Sequence, residues 1–369
     1  MTLELVELVR LEMPLVAPFR TSFGTSTARD VLLVHVVTSE AEGWGECVAD
    51  STPLYSAEYV DGAAQVIEQV LLPAVVAAAS SHPIRVQEAL QPFKGHRMAK
   101  AALHTAFLDA HLRAIGCSLA EHLGGTRDRV DCGVSVGIMD SIGELLAAVA
   151  GYLDQGYRRI KLKIEPGWDV QPVRAVRREF GGEVMCQVDA NAAYSLRDAR
   201  HLARLDDCDL LLIEQPLPED DIVGHADLAR TMRTPICLDE SITSTRTAAA
   251  AIRLGACQVI NIKPGRVGGY PEARRIAELA AAHGLATWCG GMLETGIGRA
   301  ANLALAALPM LTLPGDTSAS DRYFTTDITE PFALHDGQLA VPTGPGIGVE
   351  PIPAHLDRFT TSRQRLPLA

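Results

Sequence analysis

Five ionisable side chains recur at nearly equal intervals through the middle of the chain. Lys163, Asp189, Glu214, Asp239 and Lys263 are separated by 26, 25, 25 and 24 residues, and each ends a short apolar run. Burying a charged side chain next to such a run costs free energy unless the charge is paired or bound to a metal. Three carboxylates between two lysines would form a metal site with two candidate acid–base groups.

The spacing of about 25 residues is that of one strand, one helix and two loops. Repeats of this unit form a parallel sheet that can close into a (β/α) barrel, whose active face lies at the carboxyl ends of the strands. A single Asp there could instead cap a helix, and a single Lys could be a surface residue. Because all five residues stand at the same place, the end of a predicted strand, a common functional site is the favoured interpretation. The predicted strands are residues 159–163, 184–189, 210–214, 235–239 and 259–263.

Lysine is rare in this chain. Only five of the 33 basic residues are lysines, and three of them, Lys161, Lys163 and Lys263, fall in the predicted strands or at their ends. Arginine stays protonated in proteins, whereas a desolvated lysine can be tuned toward neutrality. Lys161 and Lys163 are two residues apart, so both should point into the barrel. We expect Lys161 and the nearby metal to lower the pKa of the catalytic base.

The composition of the chain argues against several classes of function. The formal net charge of -12 and the lack of a Lys/Arg cluster argue against nucleic acid as a partner. No apolar stretch approaches the roughly 18 to 20 uninterrupted residues needed to span a bilayer, and residues 1–10 do not resemble a signal peptide. The eight cysteines show no Cys-x-x-Cys spacing and are predicted to be buried and reduced. We expect a cytoplasmic protein with no membrane partner.

Three segments differ in pattern. Residues 1–125 are predicted to form an α+β capping domain, with strands at 2–14 and 31–38 joined by a polar turn at 15–30, and helices at 56–80 and 98–123. Residues 126–322 are predicted to form the barrel, with further strands at 132–136, 286–289 and 310–313. Residues 323–369 should return to the cap.

Several motifs together resemble one known family. They are Lys161-Leu-Lys163, Asp189-Ala-Asn191, Ile213-Glu-Gln-Pro216, Leu238-Asp-Glu-Ser241, Asn261-Ile-Lys263, Lys94-Gly-His-Arg-Met-Ala-Lys100, Lys263-Pro-Gly-Arg-Val-Gly-Gly-Tyr270 and Trp288-Cys-Gly-Gly-Met-Leu-Glu-Thr-Gly296. The set resembles the muconate-lactonizing subgroup of the enolase superfamily, and within it the N-acylamino acid racemase / o-succinylbenzoate synthase family. The resemblance covers essentially the whole chain. It implies an α/β fold, a modified (β/α)7β TIM-like barrel with an α+β capping domain.

The resemblance also implies a site. Lys163 and Lys263 would flank the substrate α-carbon, with Lys161 as an electrostatic partner, while Asp189, Glu214 and Asp239 would bind Mg²⁺, for which Mn²⁺ or Co²⁺ can substitute. Substrate-facing candidates are Ser135, Asn191, Gly291, Met292, Leu293, Phe19, Tyr55, Arg266 and Tyr323. The chain departs from related enzymes at Asp50, where they often carry an apolar residue, and at Tyr323-Phe324, where they often have Phe then Tyr.

The predicted reaction removes the proton α to a carboxylate of a small-molecule substrate, through an enediolate. We expect an N-acylamino acid (N-succinylamino acid) racemase that also has o-succinylbenzoate synthase activity. The alternatives are a synthase acting mainly in menaquinone biosynthesis, a muconate cycloisomerase-like enzyme, or, last, a barrel without activity that serves as a scaffold. This chain lacks the strand-end histidine expected of a mandelate-racemase-like dehydratase. It also lacks the Asp-x-Asp pair expected of a dipeptide epimerase. Relatives imply a homo-oligomer, a dimer or an octamer.

Overall fold

An antiparallel sheet forms one part of the protein and a parallel sheet forms the other. The computed structural model describes residues 2–368. The antiparallel sheet has the order β13-β1-β2-β3, with β1 at Leu3–Thr21, β2 at Gly24–Thr38, β3 at Glu42–Cys47 and β13 at Thr360–Arg365. Alternate residues of β2 face different cores. Leu32 and Val34 pack with the helices of the cap, whereas Val31 and Leu33 belong to the core shared with the barrel.

The predicted polar turn at residues 15–30 is wrong. Both strands continue through it as a two-stranded ribbon, which reverses at Ser22 and Phe23. The ribbon reaches the barrel, where the Ser22 hydroxyl donates to the carbonyl of Ala190 at 3.2 Å. The Phe19 ring lies edge-on to the Tyr323 ring at 6.2 Å. The segment is polar because most of the ribbon lies outside the sheet core, where solvent-exposed strand positions take polar residues.

The cap helices follow the predicted pattern with one break. The stretch predicted as one helix at 56–80 comprises α1 (Val60–Val66), a π-helical turn (Ile67–Leu71) and α2 (Leu72–Ala77). The helix α3 spans Pro83–Leu90. The predicted helix at 98–123 is divided into α4 (Arg97–Ile115) and α5 (Leu119–Leu123), because Gly116 adopts the left-handed conformation (φ 69°) that ends α4.

Within residues 2–368, the continuous helical stretch Val60–Ala77 is long and apolar enough to cross a membrane by length and composition. Asp61, Gln65, Glu68 and Gln69 interrupt it, so it is not an uninterrupted apolar stretch. Core helices pass the same test. Here Val60, Ile67, Leu71 and Val75 are buried in the core of the cap. The stretch is therefore weak evidence for a membrane span.

Seven parallel strands form the barrel sheet in the order β11-β10-β9-β8-β7-β6-β5. They are β5 (Gly133–Val136), β6 (Arg159–Lys163), β7 (Met185–Asp189), β8 (Ile213–Glu214), β9 (Ile236–Leu238), β10 (Val259–Ile262) and β11 (Ala286–Cys289). The α-helices between these strands and directly after the last one are α6 (Ile142–Asp154), α7 (Val170–Phe180), α8 (Ala199–Leu202), α9 (Ile222–Thr231), α10 (Thr245–Leu254), α11 (Pro264–Val267), α12 (Tyr270–Ala282) and α13 (Gly296–Ala306).

An irregular segment joins the two edges of this sheet. The amide of Asp316 donates to the carbonyl of Cys289 in β11 at 2.9 Å, and the amide of Gly133 in β5 donates to the carbonyl of Gly315 at 2.7 Å. The predicted eighth strand at 310–313 is therefore misplaced, because the residues that close the ring follow Pro314. The alternation of strands and helices, together with the cap, confirms the predicted fold class.

The last part of the chain touches both sheets. A short strand β12 (Gln338–Ala340) pairs with β4 (Arg129–Asp131), which directly precedes β5. After α14 (Pro353–Phe359), strand β13 pairs antiparallel with β1. The domain boundaries at residues 125 and 322 stay predictions.

Candidate active site

The five regularly spaced residues lie at the carboxyl ends of five adjacent barrel strands. Lys163, Asp189 and Glu214 are the last residues of β6, β7 and β8, while Asp239 and Lys263 directly follow β9 and β10. The parallel register places Lys163 beside Asp189, and Asp189 beside Glu214. All five residues are at most 8% exposed. Their charges therefore need partners, which the structure supplies from one another and from Lys161, Asn261 and Arg266.

Lys161 and Lys163 both point into the barrel, as predicted. The Lys163 amine contacts Asp189 Oδ2 and Asn191 Oδ1, both at 2.6 Å. The Lys161 amine lies deeper, at 2.5 Å from Asp316 Oδ2 and 3.2 Å from Glu214 Oε2. Burial alone would lower the pKa of Lys161, but the surrounding carboxylates outweigh burial and raise it. Lys161 is therefore a fixed positive charge below the cavity.

Lys263 faces the site from another strand. Its amine contacts Asp239 Oδ2 at 2.7 Å and the Tyr55 hydroxyl at 3.0 Å, and it lies 4.6 Å from the centre of the Tyr55 ring. Burial lowers the pKa of Lys263, but Tyr55 and the carboxylates of Glu240 and Glu214 outweigh burial, so that the pKa is raised.

Arg266 supports Asp239 from behind. Its guanidinium donates to Asp239 Oδ1, to the carbonyl of Ile242 at 2.8 Å and to the carbonyl of Asn261 at 2.7 Å. Arg266 is buried and does not line the cavity described below. Its predicted substrate contact stays a prediction, while the observed contacts fix the orientation of Asp239.

The three carboxylates are neutralised by neighbouring cations. In residues 2–368, no group of three His, Cys, Asp or Glu side chains is close enough to be recognised as a metal cluster. The Asp189 carboxylate contacts Lys163 and Lys161, Glu214 contacts Lys161 and Asn261, and the two oxygens of Asp239 contact Lys263 and Arg266.

The donor chemistry at these strand ends nevertheless fits a divalent cation. Asp189, Glu214 and Asp239 offer hard oxygens, which suit Mg²⁺ or a similar ion. Two further buried oxygens nearby, Glu240 Oε2 and Asn261 Oδ1, have no hydrogen-bond partner in the described chain. Unpaired buried oxygens are rare and point to a missing donor or cation. Burial and the charge of Asp189 raise the pKa of Glu240 to about 7.

A cavity of about 70 Å³ lies above these groups, between the cap and the barrel. It contains the three lysines and eight of the nine predicted substrate-facing residues, which are Ser135, Asn191, Gly291, Met292, Leu293, Phe19, Tyr55 and Tyr323. The sequence analysis did not identify Thr21, Phe23, Ser26 and Asp316, which also line it. The first three lie in the ribbon that was predicted as a turn, and Asp316 lies in the irregular closing segment. Neither of these two segments shows the periodic hydrophobic pattern that identified the barrel strands.

Comparisons with known proteins find family models and relatives that together cover most of the chain. The family model described as mandelate racemase / muconate lactonizing enzyme, N-terminal domain, matches residues 5–124, and the model described as enolase C-terminal domain-like matches residues 144–355. An N-succinylamino acid racemase of Amycolatopsis sp is 64% identical over 98% of this chain and 99% of its own. An o-succinylbenzoate synthase of Geobacillus kaustophilus is 46% identical over 97% of this chain and 96% of its own.

A solved structure shows the same fold over the full length. The crystal structure of an enolase superfamily member from Listeria innocua superposes with a TM-score of 0.96 and 41% identity, and covers 100% of both chains.

Proposed function

The chain belongs to the mandelate racemase / muconate lactonizing enzyme family of the enolase superfamily, and from this premise we propose that it racemises N-acylamino acids, with N-succinylamino acids as the preferred class. The protein is an enzyme that abstracts the proton α to a carboxylate. The observation that supports racemisation is the placement of Lys163 and Lys263. They come from β6 and from the end of β10, which are separated by three strands of the sheet.

Two amines on different sides of one cavity can invert a stereocentre. With the α-carbon between them, Nζ of one lysine removes the proton while the ammonium of the other donates a proton to the opposite face. The reverse direction exchanges the two roles. Asn191 and Asp189 orient the Lys163 amine, and Tyr55 and Asp239 orient that of Lys263. The fixed charge of Lys161 stabilises the second negative charge that develops on the substrate carboxylate.

Members of this superfamily use a divalent metal, and we propose Mg²⁺ held by Asp189, Glu214 and Asp239, with Mn²⁺ or Co²⁺ as substitutes. A bound cation would supply Lewis-acid stabilisation of the enediolate charge. The side chains of this protein contribute the proton transfers. Apolar walls formed by Phe19, Met292 and Leu293 exclude water from the reacting carbon.

o-Succinylbenzoate synthesis is the second candidate, because relatives with that name are similar over nearly the whole chain. Dehydration can run with one lysine as base and acid on a single face, which we assign to Lys163. Lys263 would then stabilise the anionic intermediate by its charge. This role would place the enzyme in menaquinone biosynthesis. A muconate cycloisomerase-like reaction would need the same two lysines.

The two-base mechanism is tested by α-proton exchange in deuterium oxide, followed by NMR for each enantiomer of N-succinylmethionine. Lys163→Ala and Lys263→Ala should each abolish racemisation, because one surviving amine cannot both deprotonate and reprotonate with inversion. Each variant should still exchange the α-proton of one enantiomer, and the two variants should prefer opposite enantiomers. Lys94→Ala, at an exposed lysine of the cap, is the matched control. The same preference in both variants, or racemisation at the wild-type rate in either, would refute the mechanism.

Location and assembly are further proposals. A cytoplasmic enzyme is supported by the eight cysteines, all of which are free and seven of which are buried. A homo-oligomer, either a dimer or an octamer, is proposed from the family resemblance. Size-exclusion chromatography with light scattering measures the assembly directly.

A further inference from the structure

Two aromatic rings from segments that are far apart in the chain form part of the cavity wall. Phe19 lies in the β1–β2 ribbon of the cap, and Tyr323 lies in the segment that follows the closure of the barrel. Their ring centres are 6.2 Å apart with an interplanar angle of 89°. Beside them, the amide of Val16 in the ribbon donates to the carbonyl of Tyr323 at 2.9 Å. The shape of this wall therefore depends on how the ribbon is held against the barrel.

Arg322 contacts both rings without lining the cavity itself. Its guanidinium carbon lies 5.7 Å from the centre of the Phe19 ring, 4.8 Å from that of Tyr323 and 5.1 Å from that of Tyr152 in α6. Nη2 of the same guanidinium donates to the carbonyl of Ser135 in β5 at 2.7 Å. One side chain thus joins the ribbon of the cap to a helix and a strand of the barrel.

The charge of Arg322 is stabilised by rings rather than by a carboxylate. Within residues 2–368, no Asp or Glu oxygen lies within 4.0 Å of its guanidinium nitrogens. The side chain is half-buried, and its Nε is buried without a hydrogen-bond partner. A partly desolvated charge costs free energy unless other groups stabilise it. Ring faces attract a cation that lies within about 6 Å, and arginine is well suited to this contact because its guanidinium is planar.

We propose that Arg322 is a positioning residue, whose guanidinium clamps Phe19 of the ribbon onto Tyr323 and thereby fixes the wall of the substrate cavity. Because Arg322 does not line the cavity, its effect on the substrate passes through the two rings. The wall contacts the body of the substrate rather than the proton that is transferred. Loss of the clamp should therefore weaken the binding of substrate and transition state alike, which raises KM and leaves kcat unchanged. The kinetic part of this inference rests on the proposed racemase function.

The kinetic test uses Arg322→Met, which removes the charge and keeps an unbranched apolar stem. Its KM for N-succinylmethionine should rise by roughly 3- to 30-fold, the range expected for the loss of a cation–π contact, with kcat unchanged. Arg322→Lys keeps a cation near the rings and should recover part of the loss. Arg358→Met is the matched control, because the Arg358 guanidinium lies 5.2 Å from the centre of the Phe359 ring in α14, away from the cavity. This control should change neither constant.

A double-variant cycle shows whether Arg322 acts through the ribbon. Phe19→Leu removes the ring and keeps an apolar side chain. If the two residues act together, adding Arg322→Met to Phe19→Leu should raise KM by a smaller factor than Arg322→Met does alone. Effects on KM that simply multiply would show that Arg322 acts independently of Phe19, and would overturn the clamp.

Trypsin tests the clamp without any substrate. Arg20 directly follows Phe19 in the ribbon, and its side chain is 44% exposed. Cleavage of a folded protein follows the population of locally opened chain, so cleavage after Arg20 should be faster in Arg322→Met by roughly 3- to 30-fold. The rate in Arg358→Met should equal that of the wild type. Mass spectrometry identifies the fragment, and thermal unfolding shows that each variant is folded under the conditions of the digest.

The clamp and the proposed function fail in different ways. An unchanged KM together with unchanged cleavage in Arg322→Met, or a loss of kcat with KM unchanged, would overturn the clamp and leave the racemase in place. No turnover of N-succinylmethionine by the wild-type enzyme would overturn the proposed function, and the rate of cleavage after Arg20 would still decide for or against the clamp.

Discussion

Asp316 is the buried carboxylate that connects the two deepest cations of the barrel. It lies 2.8 Å from Arg159 and 2.5 Å from Lys161, and both cations contact the ring of Trp288, at 5.0 and 4.9 Å from its centre. Burial would raise the pKa of Asp316, but Lys161 and Arg159 outweigh burial and hold the pKa well below its usual range. Asp316 therefore remains charged, and it fixes the position of the Lys161 amine.

Asp316→Asn should strongly destabilise the protein. The substitution removes the carboxylate partner of the buried Arg159 and the closest carboxylate of Lys161, and breaking such a buried pair typically costs about 3–5 kcal/mol. Activity should also fall, because the Lys161 amine loses its closest contact. Urea unfolding measures the loss of stability, and α-proton exchange measures the loss of activity. The control is Asp321→Asn at an exposed position five residues later, which should change stability by less than about 0.5 kcal/mol. Equal stabilities of the two variants would contradict this role of Asp316.

Removal of the metal tests the three carboxylates of the proposed metal site. Because Asp189, Glu214 and Asp239 supply hard oxygens for the proposed metal, excess chelator should abolish activity, and Mg²⁺, Mn²⁺ or Co²⁺ should restore it. The measurement is the rate of racemisation after dialysis against EDTA, with Mg²⁺-saturated EDTA as the control. An enzyme that stays fully active after exhaustive dialysis would contradict the proposed metal site.

At the scale of elements, close packing of β3 on α4 holds the cap together. Gly43 and Gly45 of β3 lie directly against the backbone of α4, and a Cβ on Gly45 would overlap the carbonyl oxygen of Ala102. Neither of these glycines has a positive φ. Their requirement is therefore steric, since a side chain there would push a buried helix away from the sheet.

Gly45→Ala should destabilise the protein by about 1–3 kcal/mol or more, because the added methyl group meets backbone atoms that cannot rotate away. Gly151→Ala is the matched control. Gly151 lies within α6, and a Cβ there would meet no atom within 4 Å. That substitution should stabilise the protein by about 0.5–1 kcal/mol, because alanine has the higher helix propensity. Thermal unfolding of both variants measures the difference, and opposite signs are expected.

At the scale of the whole molecule, Glu46 links the cap to the barrel. Its carboxylate, on β3, accepts hydrogen bonds from the Thr295 hydroxyl at 2.6 Å and from the amides of Thr295 and Gly298 at the start of α13. Burial raises the pKa of Glu46 to about 7, and the hydrogen bonds of Thr295 only partly oppose that increase. The neighbouring charge of Glu294 raises it further. The contact between cap and barrel therefore depends on pH.

The sign of this dependence follows from proton uptake. The folded pKa lies above the unfolded value of 4.5, so the folded state binds more protons between the two values. The contribution of Glu46 to stability is complete below about pH 4.5 and is lost as the pH rises through about 7, by roughly 3 kcal/mol at most. Glu46→Gln should remove this pH-dependent contribution. Between pH 4.5 and 7, the unfolding free energy of the variant should therefore fall less steeply than that of the wild type. Parallel curves for wild type and variant would contradict the assignment. Burial also raises the pKa of Asp109, to about 6. Because wild type and variant both retain Asp109, its contribution to the pH dependence of stability cancels in the comparison.

The sequence alone predicted the parts of the molecule that repeat. Apolar runs about 25 residues apart correctly placed the strands that carry Lys163, Asp189 and Glu214, because buried parallel strands leave a periodic hydrophobic signal. The spacing of two residues on one strand predicted that Lys161 and Lys163 point to the same side. The motifs, rather than the spacing, indicated the family.

Only the tertiary structure decided which groups face these residues. The contacts of Asp316 with Lys161, of Tyr55 with Lys263 and of Arg29 with Asp50 join segments that are 155, 208 and 21 residues apart. Such pairs leave no periodic trace, because each depends on how irregular loops cross the barrel mouth. The ribbon at residues 15–30 appeared to be a turn for the same reason, since its polar side chains face solvent and the cavity instead of a core. The chain's periodicity therefore determined the barrel and its catalytic face, while the packing of non-repeating segments determined the cavity and the charges around it.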